Sequence, residues 1–430
     1  MESSQSRPAP LRTLLELREL LDKSISIISE EWERNGPTVR DLDDNTVPAD
    51  NSTLPNARVF EASKTAVGAA GMLQVLLTDS IMYLIDSSCT QNLEIHATRA
   101  VMAARVPDII YEHGVPGQGM EVKDIARVCG YDTDKCRRVL HLLASKHIFK
   151  QTGPDSFDNN RISTTLIHNP GLYTFMGLTF WPPTAPQFFV EGMKSPHNDI
   201  HHAPMTLAFE GKTLWDFIDT AADNGVLFSQ TLSLLTHTEA AVEGYAWNEL
   251  GTAKIVDVGG GLGTLAILKR YPKLTLVLQD RGTVILDAKE HWRLNYPAAV
   301  DAGRVEFQAA DFFQPNPTTD ADAYMLRHVM HDWNDDVCIH ILTAIKNVMR
   351  PDAKVLVVEN LRTSLWGGDP SQAGPNTGLV APRPLPRNFG IGDRYVNGQD
   401  MWMYWKLNGK ERTTKEMTNI VLFRSGMWHS

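Results

Sequence analysis

The feature that most constrains this chain is the run IVDVGGGLGT, Ile255 to Thr264, where an apolar strand pattern ends in clustered glycines and passes into the helical stretch Leu265 to Tyr271. Glycines at such a turn let the backbone approach a ligand where a side chain would clash. Four more apolar stretches follow, LTLVLQD, RVEFQA, AYMLRH and KVLVVE, with amphipathic helical patterns clearest after the first and fourth strands. Strands alternating with helices in this way predict an α/β fold, a mostly parallel, doubly wound, Rossmann-like sheet over residues 251–430 with its ligand at the strands' carboxyl ends.

The chain before this domain reads differently. Leu14, Leu17, Leu21, Ile25, Ile28 and Trp32 share one face if residues 11–33 are helical, and the mixed charges opposite, Arg18, Glu19, Lys23 and Glu30, favour packing on protein over a membrane surface. A polar, proline- and aspartate-rich stretch to Pro55 reads as a flexible linker, so residues 1–56 form a leader helix and linker. Residues 57–170 are predicted to be mainly helical and winged-helix-like. Their elements are a helix over Glu94 to His113, a short helix Val122 to Cys129, a turn at Gly130, a helix capped near Asp132 or Thr133, and a wing turning at GPDS, residues 153–156. Residues 171–250 are aromatic-rich and read as a helical connecting segment beside the substrate pocket.

With 430 residues, two or three folded units are expected. A formal charge of -10 speaks against nucleic acid as a partner, although Lys135, Arg137, Arg138 and Lys146 on or beside the second helix of the helix-turn-helix keep a winged-helix regulator in view. Four scattered cysteines, the absence of a signal-like start and the lack of any span of roughly 18 apolar residues point to a cytoplasmic protein without a membrane segment.

The segment GLGTLA also fits a dinucleotide-binding pattern, so a nicotinamide dehydrogenase is a competing reading. Asp280, ending the second strand, is placed to bind ribose hydroxyls, and Asp311, beside Phe312 after the third, suits an adenine amino group. Taken together, VDVGGGLG, the acid ending the second strand, DFF and LRHVMHDWNDD resemble the class I S-adenosylmethionine-dependent O-methyltransferases of the plant and fungal, caffeate-type family. The likeness covers residues of about 57 to 418 and is closest, from LRHVMHDW through NGKERTTKE, to fungal polyketide O-methyltransferases of the sterigmatocystin type. The resemblance implies a winged-helix dimerisation domain before the Rossmann-like methyltransferase domain, and hence a homodimer. It implies that Gly259, Gly261 and Gly263 approach the methionine moiety of S-adenosyl-L-methionine, Asp280 the ribose, and Asp311 with Phe312 the adenine, with Arg327 near the cofactor.

By the same resemblance His331, immediately before Asp-Trp, is the catalytic base, and Glu359 and Glu411 are the carboxylates flanking it. Histidine titrates where a base at neutral pH should, and a carboxylate on its other ring nitrogen would set the tautomer. His328 is read as a packing neighbour. The cluster of His328, His331, Asp332, Asp335 and Asp336 has the composition of a metal site, but the family needs no metal and such acids cap helices, so no metal is expected. A phenol near pKa 10 lies roughly 3.5 units above histidine, about 5 kcal/mol, against about 12 kcal/mol for an aliphatic hydroxyl, which makes a phenolic hydroxyl on a small aromatic molecule the expected acceptor. Phe175, Met176, Phe180, Trp181, Met205, Phe209, Trp215, Trp402, Met403 and Trp405 are candidates to wall its pocket. A rival within the fold is a non-methylating, pericyclase-like relative, in which the base position is typically altered. Family members continue beyond NGKERTTKEM through a helix and two strands that complete the sheet. Since this chain stops at VLFRSGMWHS, a truncated domain with an unpaired strand edge and lower activity is expected.

Overall fold

A computed structural model describes residues 8–48, 55–179, 185–219, 244–365 and 379–424. The chain divides into two compact units, one of residues up to Gly177 with Ala381–Gly392, the other of Leu178–Val380 with Asp393 onward.

In the second unit the five apolar stretches form a parallel sheet: β4 (Lys254–Val258), β5 (Thr275–Asp280), β6 (Val305–Ala309), β7 (Ala323–Arg327) and β8 (Lys354–Val358), in the order β6-β5-β4-β7-β8. Their side chains alternate between two cores, as the two-residue strand period requires. Ile255, Leu276, Leu278 and Met325 face the helices Leu265–Arg270 and Gly282–Asn295 through Leu268, Ile285 and Trp292. Val256, Val258, Val277, Tyr324 and Leu326 face the helix Asp335–Lys346 through Cys338, Ile341 and Leu342. Each large apolar side chain so buried contributes roughly 1.5–3 kcal/mol. The chain order reverses direction at β4, so the loop after β4 opens at the switch point where α/β sheets take their ligands.

In the first unit α1 (Ala9–Asn35) packs along α2 (Ala57–Leu77). Its buried side is rotated from the predicted stripe: Leu17 lies in a core with Ala69, Leu385 and Phe389, but Ile25 is exposed, while Ser24 and Glu31 are buried. Glu31 is satisfied by Arg34, Arg58 and Asn56, which is what lets a carboxylate sit there. Residues of the predicted linker are tied down where described: Arg40 donates to the Arg161 carbonyl and Asn45 to Asp158. Residues 49–54 lie outside the described residues.

The helix expected over Glu94 to His113 is two helices. After α3 (Ser80–Ile85), α4 (Gln91–Ala103) stops and α5 (Val106–His113) restarts after Arg105, whose φ of 53° breaks the helical path. Then come β1 (Met120–Glu121), α6 (Val122–Cys129), a left-handed Gly130, and α7 (Thr133–Ser145) capped by the Asp132 side chain on the Lys135 amide. The strands β2 (Lys150–Gly153) and β3 (Ser156–Asp158) form the wing, in an antiparallel sheet of order β1-β3-β2. Arg137 is paired with Asp155 and Asp134, and Lys146 with Glu94, so these two cations of the face that kept a DNA-binding reading in view are engaged within the fold. Among the described residues no helix is long and apolar enough to cross a membrane.

Candidate active site

The glycine turn after β4 is shaped by its neighbours. Gly259 and Gly261 have φ of 70° and 51°, a region open to glycine at no steric cost, and the amides of Gly259 and Gly260 donate to the Gln279 carbonyl. The Gly261 amide donates to Asp280 Oδ2 at 2.9 Å, while the Arg281 amide donates to Asp280 Oδ1 at 2.8 Å. Each carboxylate oxygen of Asp280 thus keeps a second lone pair at the carboxyl end of β5, and burial raises its pKa.

A Cβ on Gly259 would stand 2.9 Å from the Val329 side chain and 3.7 Å from the Phe312 ring, so Phe312 borders the turn. Asp311 stands exposed next to it, accepting from the Phe313 amide. Arg327, the last residue of β7, is buried and donates to the Gly263 carbonyl at 3.0 Å, and a side chain on Gly263 would overlap its guanidinium. Arg327 therefore acts on the glycine turn as a strut. Sequence reasoning missed Asp257, an acid inside the apolar β4. It is buried, accepts from the Thr264 hydroxyl at 2.6 Å, and burial pushes its carboxyl up to about 6.

A second group of residues assembles at the ends of β7 and β8. The chain leaves β7 through His328, at φ 52°, and a short 3-10 turn, Met330–Asp332, carries His331. Glu359 follows β8, and its Oε1 accepts from the amides of Val329 and Met330 at 3.0 and 2.7 Å, fixing the turn. Glu411 arrives on a strap: the Lys410 amide donates to the His331 carbonyl, the Glu411 amide to Asp400, and Gly409 is so close that any side chain would overlap the His331 carbonyl. Arg412, fully buried, donates to the carbonyls of Met330 and Trp333 and to Asp335. Arg412 and Gly409 were not singled out from sequence, although they adjoin Glu411 in NGKERT.

The three expected catalytic residues therefore meet. His331 Nδ1 is 2.8 Å from Glu411 Oε1 and 3.4 Å from Glu359 Oε2, and His331 Nε2 is 3.5 Å from Asp332 Oδ1. Burial alone would depress the imidazole pKa, but Glu359, Asp332 and Glu411 outweigh it and push it up to about 10. Burial raises Asp332 to about 7, against the attraction of His331. Burial also works to raise Glu359, yet the nearby imidazoles and the Met330 amide hold it below its ordinary value. In the neutral ring, a proton on Nδ1 directed at Glu411 leaves the lone pair on Nε2.

Of the acids read as helix caps, Asp335 is instead paired with Arg412 and Lys410, while Asn334 caps the helix by accepting from Val337. Met205 and Met403 are buried in a core with Leu214, Ile218 and Leu407, against which Phe209, Trp215, Trp402 and Trp405 pack. Trp215 stacks on Trp333, two residues beyond His331. Phe175 and Met176 belong to the first unit, and Phe180 and Trp181 lie outside the described residues.

A family model described as "O-methyltransferase domain" matches residues 193–426. O-methyltransferase gedA of Aspergillus terreus is 30% identical over 95% of this chain and 91% of its own length. Human N-acetylserotonin methyltransferase, solved in complex with S-adenosylmethionine, superposes with a TM-score of 0.61 at 20% identity, covering 80% of this chain and 92% of that one. A structure described as "A Pericyclic Reaction enzyme" superposes at 0.64 with 18% identity, over 94% of this chain and 92% of its own. The match in sequence across most of the chain, on a fold and site built as above, makes this chain a member of the O-methyltransferase family.

Proposed function

We propose that the enzyme methylates a phenolic hydroxyl of an aromatic secondary metabolite of polyketide type, with S-adenosyl-L-methionine as donor and His331 as general base. The observation carrying this reading is the buried contact of His331 Nδ1 with Glu411, which leaves Nε2 to receive the hydroxyl proton. Glu359 and Glu411 stabilise the imidazolium as it forms. A base whose pKa is raised toward that of a phenol, about 10, makes the proton transfer nearly balanced, where an ordinary histidine would face about 5 kcal/mol.

The cofactor supplies a methyl group already activated on a sulfonium, so the protein's task is alignment of the attacking oxygen. The residues at the sheet switch point fit such a group: Asp280 offers lone pairs for ribose hydroxyls, Gly259 and Gly261 present backbone without side chains, and Phe312 offers an apolar ring for the adenine beside Asp311. Because the sulfonium is activated without a Lewis acid, no metal is assigned to the transfer. The intact His331 favours methyl transfer over a non-methylating reaction.

The enzyme acts as a homodimer joined through the first unit. Support comes from the apolar surface left on it, with Leu77, Ile81, Met82, Leu84 and Leu93 all at least half exposed. Light scattering should give twice 48.0 kDa; a monomer mass at micromolar concentration contradicts the dimer.

The chemistry is tested by incubating the enzyme with labelled S-adenosylmethionine and matched phenolic and aliphatic acceptors. Label should enter phenols only. Label in alcohols and not phenols, or acceptor conversion without label, overturns the reading.

A further inference from the structure

We propose that His328, His331 and Glu359 form a binding site for a divalent transition-metal ion of the zinc class, and that an ion held there disables the base. One donor atom from each residue lies within 4.8 Å of the others. Glu359 Oε2 is 3.4 Å from His331 Nδ1 and 3.7 Å from His328 Nδ1. Ligands about 2.0–2.1 Å from a tetrahedral zinc stand roughly 3.3 Å apart, so two edges of the ligand polyhedron are already close to length. Two imidazoles and a carboxylate suit zinc, cobalt or nickel better than magnesium or calcium.

Independent features mark these atoms as a set. His328 Nδ1, Glu359 Oε2 and Glu411 Oε2 are buried with no hydrogen-bond partner among the described residues. His328 also keeps a left-handed backbone, a conformation unfavourable for a non-glycine residue, and its ring stacks on His331 with centroids 5.4 Å apart. Three carboxyl groups, Glu359, Glu411 and Asp332, crowd the His331 ring, so a divalent cation enters a field that favours it. Glu359 is sealed, but the His328 side chain is 27% exposed and gives an ion its way in.

An ion on His331 Nδ1 displaces the proton that Nδ1 shares with Glu411. That proton moves to Nε2, which holds the neutral ring in its other tautomer, and Nε2 can no longer accept one from a hydroxyl. The inhibition, though not the binding, rests on His331 being the base.

The test uses cobalt(II) on the full chain, because low-coordinate cobalt absorbs in the visible range and zinc bleaches it by competition. Asparagine tolerates the left-handed backbone at position 328, so His328→Asn is the informative variant. The expected result is one equivalent of cobalt with intense visible bands, at least about tenfold weaker binding in His328→Asn, and zinc inhibition of the wild type that a chelator reverses. In His328→Asn the inhibition, measured against that variant's own chelated rate, should largely disappear. No visible bands, or equal cobalt affinity in the variant, overturns the site. So does a signal that vanishes in His202→Ala, because His197, Asp199 and His202 form a separate, partly exposed donor cluster. Full chelated activity in His331→Gln instead removes the base reading and leaves the cobalt spectrum to decide the metal site.

Discussion

His331 Nδ1 and Glu411 Oε1 stand 2.8 Å apart with 8% and 0% of their side chains exposed, which makes this the most secluded charge pair around the Met330–Asp332 turn among the described residues. Its carboxylate is one of three that raise the imidazole pKa, and a base works only when deprotonated. The acid limb of kcat/KM should therefore lie well above 6.5, climbing toward about 10. Glu411→Gln should lower kcat by on the order of 10² and move that limb to lower pH. The same shift bears on stability with a definite sign. A histidine whose folded pKa is raised contributes stability that is complete below about 6.5 and lost as pH climbs toward 10. Paired pH–rate profiles of wild type and Glu411→Gln check the first claim; a limb left in place by the substitution removes Glu411 from the control of His331.

Asp280→Ala should act on cofactor affinity rather than on the chemical step. Losing hydrogen bonds to the ribose costs about 1.5–3 kcal/mol, a factor of roughly 10 to 10² in Kd. Calorimetry with S-adenosylmethionine measures this, and an unchanged Kd would mean that the ribose is held elsewhere.

Gly409→Ala introduces a methyl group that overlaps the His331 carbonyl and crowds Asp332. The strap must retreat and carry Glu411 away from the imidazole. A tenfold or larger fall in kcat with cofactor affinity preserved is expected, together with about 1–3 kcal/mol of lost stability. Wild-type kcat in the variant would show that the strap tolerates the shift.

Asp257 has its pKa raised to about 6 by burial, so its charged form destabilises the folded state. For a carboxyl raised in this way, stability falls as pH rises from about 4 to 6 and stays lower beyond. Asp257→Asn keeps an acceptor for Thr264 and removes the charge, so its thermal midpoint at pH 7 should exceed that of wild type by an amount that shrinks below pH 5. A lower midpoint at pH 7 would mean that the ionised carboxylate is stabilised by its surroundings.

The sheet was legible because each strand is a mainly apolar run whose alternate residues serve two cores, and the five expected strands are the five found. His331, Glu359 and Glu411 could be named from motif resemblance, but their meeting depends on the parallel bridge of Leu361 with Arg412, which no local pattern encodes. Asp257 escaped notice because one acid in an apolar strand looks like an interruption. The break at Arg105 had a usable signal in Pro107, which opens a helix more readily than it continues one. The place of Ala381–Gly392 in the first unit's core, by contrast, rests on packing of Leu385 and Phe389 against Leu17 and Ala69, partners more than 300 positions away in the chain.

The most direct measurement is single-turnover methyl transfer by His331→Gln beside wild type, with cofactor affinity determined calorimetrically on the same samples and a chelator present throughout. The expected result is a rate lower by roughly 10² to 10⁴ with Kd for S-adenosylmethionine nearly unchanged. A folded His331→Gln enzyme that transfers methyl at the wild-type rate would contradict the assignment of the base.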